Sequence, residues 1–126
     1  MSGHLLSMHQ PLRILCAEDN EMLGEVMLSV FASAGHWVEH VEDGQRAWER
    51  LAGGISDFDV VITDHEMPRM NGLTLVQQLR QADFRGRIIV HSSAVGPEEA
   101  ARYHALGITK IVQKGSRPDA LLAHLE

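Results

Sequence analysis

Short apolar runs alternate five times along the chain with longer segments whose apolar residues recur at helical spacing. The runs at residues 13–17, 37–41, 58–63, 87–92 and 110–113 read as strands. The first, third and fourth are nearly continuous in apolar residues, as strands covered on both faces in the middle of a sheet should be. Between them, Met22, Val26, Val30 and Ala34 keep an i, i+4 rhythm, Ala47 and Leu51 repeat it, and Leu75 and Leu79 follow with Val76 alongside. Each set marks an expected buried helix face. The punctuation agrees with these helices. Asn20 and Asp43 are placed to cap the first two, Gly96-Pro97-Glu98-Glu99 sets proline and acids in a first turn, and Gly35 and Gly107 suit helix ends. Ser116-Arg117-Pro118-Asp119 has the spacing of a capping box with Asp in the place of Glu or Gln. Strand and helix alternating in this way imply an α/β fold with a parallel sheet, right-handed crossovers and helices on both faces.

Composition narrows the class. With 126 residues and 44% hydrophobic content, the chain suits one domain with a single packed core that needs no disulfide. Residues 1–11 form an expected flexible leader closed by Pro11, and residues 12–126 the domain. The one cysteine, Cys16, lies inside an apolar strand and has no intrachain partner, which fits a reducing compartment. No apolar stretch approaches the ~20 residues of a membrane span, so a cytoplasmic location is expected. The net charge of -6 comes without a basic stripe, which argues against direct nucleic-acid binding.

Candidate chemistry follows from topology. In open parallel sheets ligands bind beyond the carboxyl ends of the strands. That edge would gather Glu18 and Asp19 after the first strand, Asp64 after the third, Ser92 and Ser93 at the fourth and Lys114 after the fifth. Acids at strand ends also serve as helix caps or solvated loop charges, and any one of these alone would mean no more. Three together are costly, since a like-charged pair at ~4 Å repels by about 4 kcal/mol at an effective dielectric near 20. Protonation or a divalent cation must relieve them. Oxygen ligands completed by water and phosphate suit Mg2+, with Mn2+ as a possible substitute. One carboxylate can then attack a phosphoryl group while a lysine and a hydroxyl stabilise its oxygens.

The segments Ile14-Leu15-Cys16-Ala17-Glu18-Asp19-Asn20 and Val60-Val61-Ile62-Thr63-Asp64-His65-Glu66-Met67-Pro68-Arg69-Met70-Asn71-Gly72, with Ser92 and Lys114, carry a resemblance. From about residue 12 to its end the chain resembles the receiver domains of two-component response regulators and hybrid histidine kinases. The resemblance implies a flavodoxin-like, doubly wound five-stranded parallel sheet of order 2-1-3-4-5 with five helices. It also implies that Asp64 is the phosphoacceptor in a phosphorelay, and that Glu18, Asp19, Asp64 and the backbone carbonyl of Glu66 are Mg2+ ligands. Ser92 corresponds to the switch hydroxyl, preferred over Ser93 by its spacing, and Lys114 to the lysine that pairs with the phosphoryl group, while Asn71-Gly72 would supply the tight turn and cap of the third helix. The implied donor is a histidine kinase or histidine phosphotransfer domain. The implied response is a change in the surface around the fourth helix, fifth strand and fifth helix, with a phosphorylation-dependent homodimer as one outcome. Such a domain is a signalling phosphoacceptor, with slow self-catalysed phosphorylation and dephosphorylation, and not a dedicated enzyme. Excision from a hybrid kinase is compatible with these motifs.

Three departures from the family pattern stand out. Gly115 follows the lysine where many receivers carry proline, which predicts either a strained cis Lys114-Gly115 peptide or a loosened loop. Ile111 stands where many members place a switching Tyr or Phe. Glu66 adds a negative group beside the phosphoacceptor, where it is expected to alter attack by water. Eight histidines lack a zinc pattern: His36 and His40 flank a short strand without a cysteine partner, and His91 reads as packed core. An aspartyl-phosphate phosphohydrolase of the haloacid dehalogenase type would want Asp-x-Asp near the chain start and a cap domain. A flavin-binding flavodoxin would want a hydroxyl-rich loop after the first strand. A receiver-like domain that never accepts phosphate would be favoured only by loss of Asp64 or the acidic pair.

Overall fold

Five parallel strands make one sheet in the computed structural model, which describes residues 10–115 and 117–125. In chain order the elements are β1 (Arg13–Ala17), α1 (Glu21–Ser33), β2 (Trp37–Val41), α2 (Gly44–Ala52), β3 (Val60–Thr63), α3 (Gly72–Gln81), β4 (Arg87–Ser92), α4 (Pro97–Ala105) and β5 (Ile111–Gln113). A short 3-10 turn, Ile55–Asp57, precedes β3, and the terminal helical segment Pro118–Leu125 is wound in 3-10 turns. The sheet order is β2-β1-β3-β4-β5 with every pair parallel, as the resemblance implies. The expected leader falls mostly on residues 1–9, and with Ser116 of the expected capping box these lie outside the described residues.

Strand alternation sorts the continuous apolar runs onto two faces. Leu15, Ala17, Val61, Ile88 and Val90 pack with Ala47 and Leu51 of α2, Leu75, Val76 and Leu79 of α3, and Tyr103 of α4. On the other face Ile14, Cys16, Val60, Ile62 and Ile89 pack with Met27 and Phe31 of α1 and with Leu121 and Leu125 of the terminal segment. Each fully buried aliphatic side chain contributes on the order of 1.5–3 kcal/mol. Burial also pushes the Cys16 thiol far up, aided by the Glu18 charge, so it behaves as an inert apolar group.

The caps act as the sequence suggests. The side chains of Asn20, Asp43 and Asn71 accept from Leu23 N, Arg46 N and Thr74 N at 3.0, 2.8 and 2.9 Å. Gly35 and Gly107 adopt φ of 94° and 82° just after α1 and α4. The face of α1 differs from the expectation: Met22 is 74% exposed and Val26 39%, while Gly24, Met27 and Phe31 are buried. The reason is the neighbouring strand. The His40 ring packs so closely on Gly24 that an added Cβ would lie 2.2 Å from it, which turns the glycine side of the helix inward. Smaller differences are the later starts of β3 and β5, at Val60 and Ile111.

Candidate functional site

Three of the candidate residues sit one position past a strand, where the ladder hydrogen bonds continue for one more step. Glu18 N donates to Val41 O at 3.0 Å, Asp64 N to Ala17 O at 2.9 Å and Lys114 N to Ser92 O at 2.8 Å. Their backbones therefore share the sheet's rigidity, although their side chains stand beyond it. Ser92 itself ends β4. Asn20 and Asn71 then turn the chain into α1 and α3, so Glu18 and Asp64 are each followed closely by a capped helix start.

Lys114 binds this edge together. Its Nζ lies 2.7 Å from Asp64 Oδ2 and 3.0 and 3.1 Å from the two Glu18 carboxylate oxygens. Both acids are buried, Glu18 at 1% exposure and Asp64 at 6%, whereas Asp19 is exposed. Two further amides settle the carboxylates: Asn20 N donates to Glu18 Oε2 at 3.0 Å and His65 N to Asp64 Oδ1 at 2.7 Å. Burial still pushes the Glu18 carboxyl up, and the Asp64 charge adds to it, against the pull of the Asn20 amide and Lys114. For Lys114 burial disfavours the charge, but the hydrogen bonds and charges of Asp64 and Glu18 outweigh it and hold the ammonium above its ordinary value. The site thus carries more negative charge than one lysine relieves.

Oxygen atoms of Glu18, Asp19 and Asp64 lie within 4.8 Å of one another, and this is the group of His, Cys, Asp and Glu side chains that could hold a metal among the described residues. An all-oxygen set with an unsatisfied negative charge fits a hard divalent cation, whose opposite ligands at ~2.1 Å bonds would stand about 4.2 Å apart. His36 and His40 form no such group. Leu12 N donates to His36 Nδ1 at 3.0 Å, and His40 Nε2 pairs with Glu18 O at 2.7 Å, fixing the backbone of the acidic pair.

The remaining candidates are arranged around this centre. Ser92 is buried, and its hydroxyl makes one long contact of 3.5 Å with Ala94 O. Glu66 is exposed on the loop after Asp64. No cis peptide occurs among the described residues, so the strained-cis alternative at Lys114-Gly115 is set aside; apart from its chain neighbours, no described residue comes within 4 Å of a Cβ placed on Gly115, which leaves the loop uncrowded there. His91 is packed core with Nδ1 unpartnered, and burial, with the nearby Lys114 charge, keeps its pKa low.

Two features escaped sequence reasoning. Arg69 has φ of 67°, in a turn closed by Met70 N to Pro68 O at 2.7 Å, and its guanidinium reaches Asp43 at 3.1 and 3.4 Å. The cap of α2 thereby pins the loop that follows Asp64. His65 Nδ1 meets the Tyr103 hydroxyl at 2.7 Å, with the rings edge-on at 5.5 Å and 72°. Neither pair has a sequence signature, since Asp43 and Arg69 are 26 positions apart and His65 and Tyr103 are 38. Gly72, expected as a turn former, is needed for close approach: an added Cβ would lie 2.3 Å from Asp64 O and 2.8 Å from the Tyr103 hydroxyl.

Comparison with known proteins agrees with this geometry. A family profile described as "Response regulator receiver domain" matches residues 14–126. Chemotaxis protein CheY1 of Helicobacter pylori is 31% identical over 119 residues, covering 91% of this chain and 94% of that protein. The Gliding motility regulatory protein of Myxococcus xanthus is 28% identical over 114 residues, 89% of this chain but 14% of that much longer protein. The structure of chemotaxis protein CheY4 of Vibrio cholerae superposes with a TM-score of 0.82 at 26% identity, covering 92% of this chain and 97% of that one. No helix among the described residues is long and apolar enough to cross a membrane.

Proposed function

The chain belongs to the response regulator receiver family, and from that premise we propose that Asp64 accepts a phosphoryl group from a phosphohistidine donor. The observation that carries this reading is the Lys114 ammonium held 2.7 Å from a buried Asp64 carboxylate at the carboxyl edge of the sheet. An oxygen of Asp64 attacks phosphorus, the P–N bond of the donor breaks and its electron pair returns to the donor imidazole. The product is an aspartyl phosphate, which water later cleaves to restore the carboxylate. Lys114 stabilises charge on the phosphoryl oxygens, and Ser92, whose hydroxyl makes a long contact to Ala94 O among the described residues, turns that hydroxyl towards them.

The donor set fits a magnesium ion held by Glu18, Asp19, Asp64 and the backbone carbonyl of Glu66, which would offset charge on the carboxylates and the phosphoryl group. Mn2+ would serve in its place. The donor is a histidine kinase or histidine phosphotransfer domain, in the cytoplasm. Residues 12–126 act as a switching module in which α4, β5 and the terminal helical segment change on phosphorylation, with homodimerisation as one output and no direct contact to nucleic acid. Glu66, exposed on the loop beside Asp64, alters attack by water on the product.

Incubation with acetyl phosphate and Mg2+, scored by intact mass, tests the reading. One phosphoryl adduct is expected for the wild type and none for Asp64→Ala or when Mg2+ is chelated. An adduct that survives Asp64→Ala would overturn the assignment. In the same assay followed over time, an unchanged adduct lifetime in Glu66→Asn would remove the role given to Glu66.

A further inference from the structure

We propose that His65 and Tyr103 form the link by which the state of Asp64 is passed to helix α4, an inference that rests on Asp64 being the phosphoacceptor. The link has two hydrogen bonds on one residue. The His65 backbone N–H donates to Asp64 Oδ1 at 2.7 Å, and its imidazole Nδ1 meets the Tyr103 hydroxyl at 2.7 Å. Tyr103 lies in α4 with its side chain fully buried, so its hydroxyl cannot exchange His65 for solvent without cost. Burial and the carboxylates of Asp64 and Glu99 also push its ionisation far up, leaving a neutral phenol whose partner is the imidazole.

Packing makes the connection stiff. The space above Gly72 is shared by Asp64 O, the Tyr103 hydroxyl and the His65 Cα, at 2.3, 2.8 and 3.1 Å from where a Cβ would stand. Gly72 N in turn donates to His65 O at 2.8 Å. Displacement of His65 is therefore not absorbed locally. Forming the acyl phosphate converts one carboxylate oxygen of Asp64 into an ester oxygen and spreads the charge onto the phosphoryl group, so the acceptor facing the His65 N–H weakens. The peptide of His65 moves to re-pair, the imidazole follows, and the buried hydroxyl of Tyr103 draws α4 with it. Ile111, half-buried and without a polar atom, offers no competing path through β5.

Hydrogen–deuterium exchange on the whole chain, with and without phosphorylation by acetyl phosphate and Mg2+, tests the link. In the wild type, protection across Pro97–Ala105 is expected to change by about fivefold per phosphorylated molecule. Tyr103→Phe is expected to take up phosphoryl as the wild type does and to lose that change. His65→Leu should lose it as well, and His65→Asn, whose amide can replace Nδ1, should restore it. A full α4 response in Tyr103→Phe overturns the link, as does a wild type that is phosphorylated without any change in α4. Poor phosphoryl uptake by Tyr103→Phe overturns it too, since Tyr103 would then be holding the site itself. A wild type that takes up no phosphoryl group brings down the phosphoacceptor reading and the link together, which separates the two failures.

Discussion

At the amino edge of the sheet, Arg13 Nη2 pairs with Asp59 Oδ1 at 3.3 Å, with side chains 50% and 39% exposed. At the carboxyl edge, Lys114 pairs with Asp64 at 2.7 Å and with Glu18 at 3.0 Å, and the lysine is 18% exposed. Both pairs join residues at the ends of neighbouring or nearby strands, and both set one cation against carboxylate. Water decides what each does. The Arg13–Asp59 pair is screened and its main structural contribution is local: Asp59 Oδ2 also accepts the Arg13 backbone N–H at 2.9 Å. The Lys114 cluster is largely buried, holds two acids against one base, and keeps a repulsion that a divalent cation would relieve.

The largest expected difference between the edges comes from removing the cations. Lys114→Met leaves two buried carboxylates uncompensated and should lower metal-free stability by about 3 kcal/mol, whereas Arg13→Met should cost about 0–1 kcal/mol. Urea denaturation in the presence of a chelator measures both, and equal losses would erase the distinction drawn between the two pairs. Mg2+ should recover part of the loss in Lys114→Met and none in Arg13→Met.

Glycines sharpen the same contrast at smaller scale. Gly72 sits against Asp64 O at the carboxyl edge, and Gly86 against Asp59 O at the amino edge, where added Cβ atoms would lie at 2.3 and 2.5 Å. Alanine at either position should cost roughly 1–3 kcal/mol by overpacking. Only Gly72→Ala should also slow phosphoryl uptake, because it displaces the backbone of Asp64. Equal uptake by the two variants in the intact-mass assay would mean that the Asp64 loop tolerates movement.

The smallest effect is in pH dependence, and its sign differs between edges. Glu18 is raised chiefly by burial, so above about pH 4.3 the folded state holds more protons than the unfolded one. Stability then falls as pH rises from there through the folded value. Asp59 is held low by the Arg13 side chain and backbone hydrogen bonds, so its contribution is full above about pH 3.9 and disappears as pH falls through its folded value. Metal-free stability of Glu18→Gln should lack the decline above pH ~4.3, while Asp59→Asn should lack the acid-side loss. Parallel curves for Glu18→Gln and wild type would show that Lys114 relieves Glu18 fully.

The alternation of runs and rhythms was enough to place five strands and their helices along the chain, because burial on both faces demands continuous apolar strands and a helix demands its own period; the order of the strands in the sheet came from the family resemblance. Asn20, Asp43 and Asn71 were readable as caps, since capping is local. The candidate residues Glu18, Asp19, Asp64 and Lys114 could be named from strand ends alone, while Ser92 was told from Ser93 only by the family resemblance; the structure brings Glu18, Asp64 and Lys114 within hydrogen-bonding distance. Other features were not local. Which side of α1 turns inward depends on His40 reaching over Gly24 from another strand, so the rhythm of Met22 and Val26 selected an exposed face.

Sequence by itself therefore determined the architecture, the strand-end acids and the lysine that faces them, because each follows from local periodicity and from where a parallel sheet places its carboxyl ends. Tertiary structure alone decided how charge and contact are shared there: that Lys114 spans two acids, that Arg69 is pinned by Asp43, and that His65 ties Asp64 to Tyr103. Those pairs join residues far apart in the chain, and their distances are set by how helices pack on the sheet, a property that no window of sequence contains.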